Sequence, residues 1–182
     1  MKIFAAIKLP PHLSEQISHI QRGVSGARWS APDKLHITLA FFGEVDDDHA
    51  EVLDMELARQ CFSSFELSLG GAGHFGSREP HAIWLGVNAS EPLTALHKHS
   101  KHAARRAGIR LEKRNYIPHV TLAYLARTTP LDRIINFEKR RESFNCKPFL
   151  VDEFFLLSSH KKAKGANIYR EEASYPLLGP PV

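Results

Sequence analysis

Two short stretches carry side chains that can do acid–base chemistry together. Residues 35–42 read LHITLAFF and residues 118–125 read PHVTLAYL. His36-Ile37-Thr38-Leu39-Ala40 matches His119-Val120-Thr121-Leu122-Ala123, and an aromatic residue follows each. On a strand, side chains at i and i+2 share a face, so each copy presents an imidazole and a hydroxyl together. They stand roughly 7 Å apart along the strand. Ile37 and Leu39, or Val120 and Leu122, point into an apolar layer behind. Two such strands facing one cleft would hold a small tetrahedral anion between them. One imidazole, neutral, takes a proton from water, and the other, charged, gives one to the leaving oxygen. The hydroxyls of Thr38 and Thr121 hold the non-bridging phosphate oxygens. A single His-x-Thr on a strand is ordinarily a half-buried histidine with a satisfied ring, so the weight lies on the repetition.

The elements that must position these residues read as an irregular mixture of strands and helices. Lys2 to Leu9 alternates as a strand, and Pro10-Pro11 opens a helix with Leu13, Ile17, Ile20 and Val24 on one face. A short strand at 28–30 precedes the first motif, which closes at Gly43. Asp46-Asp47-Asp48 starts a second helix, its negative charge at the positive dipole end and Ala50, Leu53, Leu57 and Cys61 as its buried stripe. Phe65 to Leu69 is a strand running into a turn, Gly70-Gly71-Ala72-Gly73, and His81 to Val87 is another strand. Ser90-Glu91-Pro92 caps a helix that carries Leu93, Leu96, Ser100, Ala103 and Ala107 and stops at Gly108. Short strands follow at 109–113 and 116–125, then a helix within Pro130 to Arg141. Phe149 to Ser158 is strand-like, a basic loop covers 160–165, and a last strand spans 167–174. The order of helix, strand and motif strand repeats around each motif, which suggests two similar lobes. The class is α+β rather than a doubly wound parallel sheet.

Composition excludes several classes of function. Hydrophobic residues make up 43% and charged residues 24%, which fits one globular domain over residues 1–182. No apolar run approaches the ~20 residues of a membrane span. The opening MKIFAAIKLPPHL is cut by Lys8 and two prolines, too soon for a secretion signal. Cys61 and Cys146 have no metal-ligand spacing and no paired histidine, so they read as reduced thiols of a cytoplasmic protein. The net charge of +4 suits a phosphate-bearing partner. His97, His99 and His102 look like a metal tract, but no acid or cysteine completes a ligand set. With Lys98, Lys101, Arg105 and Arg106 they form a solvated basic face suited to RNA phosphates. No metal and no cofactor is expected.

The paired His-x-Thr-apolar motifs resemble those of the 2H phosphoesterase superfamily. Residues 35–44, LHITLAFFGE, are similar to the RNA 2′,3′-cyclic phosphodiesterases, also described as 2′-5′ RNA ligases. The resemblance extends to Ile3-Phe4-Ala5-Ala6-Ile7, to Ala82-Ile83-Trp84-Leu85-Gly86, and to Tyr169, Pro176 and Leu177. It implies a bilobal fold of two pseudo-symmetric antiparallel lobes, helices outside and a central cleft. It implies metal-independent opening of RNA 2′,3′-cyclic phosphate ends to a 2′-phosphate, with weak reverse 2′-5′ joining; a monomer is expected. His119 would be the proton acceptor and His36 the proton donor. The alternatives are 2′-5′ oligonucleotides or small cyclic phosphates as substrates, or a non-catalytic RNA-binding module.

The second motif of that family commonly continues to an arginine five residues after the histidine, where this chain has Tyr124. Either Arg127, of the same strand parity as His119, replaces it as a phosphate or ribose contact, or Tyr124 does different work. Phe42 shares the face of His36 and Thr38 by period two, and either stacks on a nucleobase or sits in the core.

Overall fold

The structure is a computed structural model that describes residues 2–161 and 167–179. Its first half runs β1 (Lys2–Lys8), α1 (Pro11–Ser18), β2 (Ala27–Trp29), a 3-10 turn at Pro32–Lys34, β3 (His36–Glu44) and α2 (Asp47–Ala58). Then come β4 (Phe65–Leu67), β5 (Leu69–Phe75), β6 (Ala82–Val87), α3 (Glu91–Arg106) and β7 (His119–Leu125). The chain closes with α4 (Leu131–Lys139), β8 (Phe149–Val151), β9 (Glu153–His160) and β10 (Ile168–Pro176).

Local chemistry sets the helix ends. The Asp46 carboxylate accepts from the His49 backbone N–H at 3.0 Å, so the acidic run caps α2 as the sequence suggests. Ser90 Oγ accepts from the Leu93 N–H at 3.2 Å, and Gly108, at φ 74°, follows α3 in a conformation that side chains disfavour. Each helix lays an apolar stripe on a common core: Leu13 and Ile17, Leu53 and Leu57, Leu93 and Leu96, Ile134 and Phe137. No helix among the described residues is long and apolar enough to cross a membrane.

All strand pairings are antiparallel, and the main sheet runs β10-β9-β1-β3-β7-β6-β5, with β2 also on β7. The two lobes are half-sheets joined edge to edge, and the junction is a single register pair, Ile37 opposite Val120. Both residues have no solvent exposure, and burial contributes ~1.5–3 kcal/mol for each such side chain. One face of the sheet meets the helices. The other carries a small apolar cluster of Phe4, Ala6, Phe155 and Leu157 with Tyr169 against it; His36 packs on that cluster, and His119 shares its side of the sheet, each flanking a core residue, Ile37 or Val120.

Several local expectations are corrected. Gly70 to Gly73 form no turn but lie in β5, with Gly71 at φ 66° beside a register shift. A Cβ on Gly73 would come within 2.4 Å of the Trp84 ring, so the glycine is there for close packing. The run from Phe149 changes partner at Asp152: β8 pairs with β4, whereas β9 pairs with β1 and β10. Residues 109–118 form no strand, α1 stops before Ile20, and α2 ends before Cys61, which is exposed. Of the basic loop at 160–165, Lys162 to Gly165 lie outside the described residues.

Candidate active site

The junction between half-sheets sets the geometry of the site. In an antiparallel pair the neighbours of opposed residues also oppose one another, which sets His36 across from Thr121 and Thr38 across from His119. The four polar side chains therefore form a crossed square on the open face, with the two histidines on one diagonal. Directly opposed Cβ atoms in such pairs lie roughly 4.5–5.5 Å apart and diagonal neighbours roughly 7–8 Å.

Both imidazoles are held in the same way. His36 Nδ1 lies 2.7 Å from the Lys34 carbonyl, and His119 Nδ1 lies 2.6 Å from the Ile117 carbonyl, each two residues back. A carbonyl only accepts, so Nδ1 carries the proton and Nε2 is left for chemistry in both rings. Aromatic side chains brace them: Phe4 and Tyr169 lie 5.1 and 5.4 Å from the His36 ring, Phe75 and Trp84 lie 4.7 and 6.2 Å from His119. Neither Thr38 nor Thr121 has a protein partner for its hydroxyl among the described residues, though both side chains are half-buried and line cavities. Two idle hydroxyls beside two fixed imidazoles suit an anion.

Burial is the main influence on the histidines. Desolvation holds His36 below the ordinary 6.5, the Lys34 carbonyl opposes it, and the neighbouring His119 lowers it further. His119 is likewise lowered by desolvation, against its bond to Ile117. Each site thus favours the neutral ring until a negative charge enters.

A shared irregularity decides which aromatics reach the site. In β3 the register passes from Ala5–Ala40 to Ala6–Thr38, leaving Leu39 as an extra residue. In β7 it passes from Ile83–Ala123 to Trp84–Thr121, leaving Leu122 extra. A bulge at the same motif position turns the strand by one residue. It brings Phe41 and Tyr124 onto the face of the histidines, where they are 57% and 46% exposed. Phe42, at 4% exposure, packs in the core and reaches the larger hollow only as part of its wall, so the core alternative describes it and the bulge turns it off the histidine face. Parity does not hold for Arg127 either: β7 ends at Leu125, and the Arg127 side chain is 89% exposed, with Glu79 as its nearest carboxylate at 3.8 Å. Arg127 lines neither cavity described next.

The histidines separate two hollows. One, of about 430 Å³, is bounded by Arg28, Lys34, His36, Thr121, Tyr124 and Tyr169. The other, of about 770 Å³, is bounded by Thr38, Phe41, His119 and Tyr124 and reaches Lys101 and Arg110. Thr121 and Tyr124 line both. Arg28 faces Tyr124 across β2 and β7, its guanidinium 5.7 Å from the phenol ring centre. Phe41 and Arg28 escape a reading by parity. For Phe41 the signal was available, because it and Tyr124 both stand five residues after a motif histidine. Among the described residues no group of three histidine, cysteine or acidic side chains is arranged to hold a metal ion. In the α3 tract, His97 turns to the Leu39 carbonyl at 2.6 Å and His99 to the Leu57 carbonyl at 3.1 Å.

Comparison with known proteins agrees with this geometry. The pattern of the 2′-5′ RNA ligase superfamily matches residues 9–163. The RNA 2′,3′-cyclic phosphodiesterase of Archaeoglobus fulgidus is 28% identical over 94% of this chain and 97% of its own. The protein of that name from Thermotoga maritima is 31% identical over 87% of each chain. The crystal structure of Escherichia coli LigT complexed with 3′-AMP superposes with a TM-score of 0.76 at 28% identity, over 97% of both chains. With its two His-x-Thr strands meeting at one register pair, the chain belongs to the 2′-5′ RNA ligase superfamily.

Proposed function

We propose that this protein hydrolyses RNA 2′,3′-cyclic phosphate ends to 2′-phosphates with His119 as base and His36 as acid. The observation that carries the reading is the crossed square: two imidazoles fixed at Nδ1 and two hydroxyls without protein partners among the described residues, on one face. Neutral His119 takes a proton from a water that attacks phosphorus. The bond from phosphorus to the 3′-oxygen breaks, and protonated His36 gives its proton to that oxygen. Thr38 and Thr121 donate to the non-bridging oxygens, where negative charge grows. Because His36 is held below its ordinary pKa, the phosphodiester's own charge helps load the acid. With a 5′-hydroxyl end in place of water, the 5′-oxygen bonds to phosphorus, the bond to the 3′-oxygen breaks, and His36 protonates that oxygen, which gives weak 2′-5′ joining. Relatives named RNA 2′,3′-cyclic phosphodiesterase support the substrate class. In the same proposal the protein acts as a monomer in the cytoplasm, in keeping with its two free thiols.

The test is an oligoribonucleotide with a 2′,3′-cyclic phosphate end, incubated with protein and a metal chelator and followed by 31P NMR. A 2′-phosphomonoester is the expected product. A 3′-phosphate, or an unchanged cyclic end, would contradict the reading.

Phe41 and Tyr124 offer exposed ring faces beside the reacting centre, where a nucleobase stacks. Stacking is worth ~1–3 kcal/mol per base, so Phe41→Ala should raise KM by roughly 5- to 100-fold. Phe42, nearly buried in the wall of the same hollow, should act mainly through packing, so Phe42→Leu should change KM far less than Phe41→Ala and lower stability by roughly 0.5–3 kcal/mol. Steady-state kinetics and thermal unfolding of the two variants check this.

A further inference from the structure

A nucleic acid chain held by its 3′ end in the cleft must leave it somewhere, and α3 offers a built path. Thr94, His97, Lys98, Lys101, His102 and Arg105 recur at three-four spacing, so they share one helical face. With Tyr116 and Pro118 they enclose a third hollow of about 390 Å³ whose lining, among the described residues, contains no acidic side chain. It adjoins the catalytic cleft, because His97, Lys101 and Tyr116 line both. The partition is a parallel stack of the His97 and Tyr116 rings, centres 3.8 Å apart and 3° from coplanar. That stack is tied to the catalytic strand: His97 Nδ1 donates to the Leu39 carbonyl, and Tyr116 donates to the Thr38 carbonyl at 3.2 Å.

The charges on this face are idle. Among the described residues Lys98, Lys101 and Arg105 have no carboxylate partner, whereas Arg106, elsewhere on the helix, is paired with Glu56. Cations left unpaired along one stripe cost repulsion, and a polyanion would relieve it. On the other side of the centre, Lys34 Nζ donates to the Asn167 carbonyl at 2.7 Å.

We propose that this face of α3 is a ledge that binds the phosphodiester backbone of a single-stranded RNA upstream of its reacting end. The proposal rests on the phosphodiesterase reading for its direction, since the cleft is taken to hold the terminal nucleotide. The ledge reads backbone charge rather than base identity, so it adds affinity for a chain over a mononucleotide without selecting sequence.

The test compares wild type with Lys98→Ala/Arg105→Ala, two side chains outside the catalytic cleft. A second variant, Lys139→Ala/Lys147→Ala, removes equal charge from residues that line neither hollow. Each hydrolyses a mononucleoside 2′,3′-cyclic phosphate and a ten-residue oligoribonucleotide with the same end, over a range of salt. The α3 variant should raise KM for the oligonucleotide roughly tenfold at low salt and reduce its log–log salt slope by about 1.4, at ~0.7 per phosphate contact. Its mononucleotide kinetics should match wild type, and the control variant should match wild type on both. Fluorescence anisotropy of the labelled oligonucleotide measures the same loss of affinity without requiring turnover. Failure of every form to open either substrate would sink the phosphodiesterase reading and leave anisotropy to judge the ledge. Equal oligonucleotide affinity and salt slope in wild type and the α3 variant, or equal losses in both variants, would overturn the ledge.

Discussion

Replacing either His36 or His119 by alanine is expected to lower kcat on a cyclic-phosphate RNA end by roughly 10²–10⁴-fold, the usual share of a placed proton donor or acceptor. The double variant should lose about as much as the worse single one, because the two rings act in one transition state. KM should change little by comparison, since the Nε2 atoms matter chiefly when a proton is in flight. The fold should survive. Each ring is half-buried, and its Nδ1 is bonded to a nearby backbone carbonyl, of Lys34 or Ile117. Losing one such bond costs about 1 kcal/mol. Single-turnover rates and thermal unfolding measured on the same preparations separate lost chemistry from lost structure. Near-wild-type turnover in the double variant would remove both histidines from the reaction.

Thr38→Val and Thr121→Val should each lower kcat by roughly 10²–10³-fold, as loss of one preorganised donor to a developing oxyanion does. Valine nearly matches threonine in shape, so the substitution removes the hydroxyl and little else. Neither hydroxyl holds a protein partner among the described residues, so no internal hydrogen bond is broken and stability should hold or rise slightly. The combination is diagnostic. A hydroxyl kept for structure would show the reverse, with a lowered melting temperature and unchanged rate. The two threonines should be alike in effect, because each lies across the β3–β7 junction from a histidine.

Much of this was legible in the sequence, for identifiable reasons. The repeated His-x-Thr pattern exposed both strands, and capping chemistry at Asp46 and Ser90 marked where α2 and α3 start. What the pattern could not carry was irregularity. Strict alternation put Phe42 on the active face, but the bulges at Leu39 and Leu122 advance each strand by one and deliver Phe41 and Tyr124 instead. The parity that pointed to Arg127 failed because β7 stops at Leu125. Gly70 to Gly73 read as a turn because glycine frees the backbone, yet here its smallness is what matters, under the Trp84 ring. Arg28 was invisible, since only cross-strand register sets it opposite Tyr124. Cap and repeat signals were read correctly, whereas the glycine run at 70–73, the stretch at 109–118 and contacts made through tertiary register were not.

The pairing of the two imidazoles predicts a pH signature that can be signed in advance. A base must be neutral, so its loss of function lies on the acid side. An acid must be charged, so its loss lies on the alkaline side. Desolvation lowers both rings below 6.5, so the bell in kcat/KM for the free protein should centre on the acid side of that value. The limbs belong to the coupled pair rather than to either ring. A bound phosphodiester anion favours the charged imidazole, so the alkaline limb of kcat should sit at higher pH than that of kcat/KM.

The most direct measurement is therefore the pH profile of kcat/KM for wild type, His119→Ala and His36→Ala on a cyclic-phosphate oligonucleotide. Wild type should give a bell, His119→Ala should lose its acid limb, and His36→Ala its alkaline limb, both at much reduced rate. Two variants that keep the full bell near the wild-type rate would show that these rings do not exchange protons with the substrate.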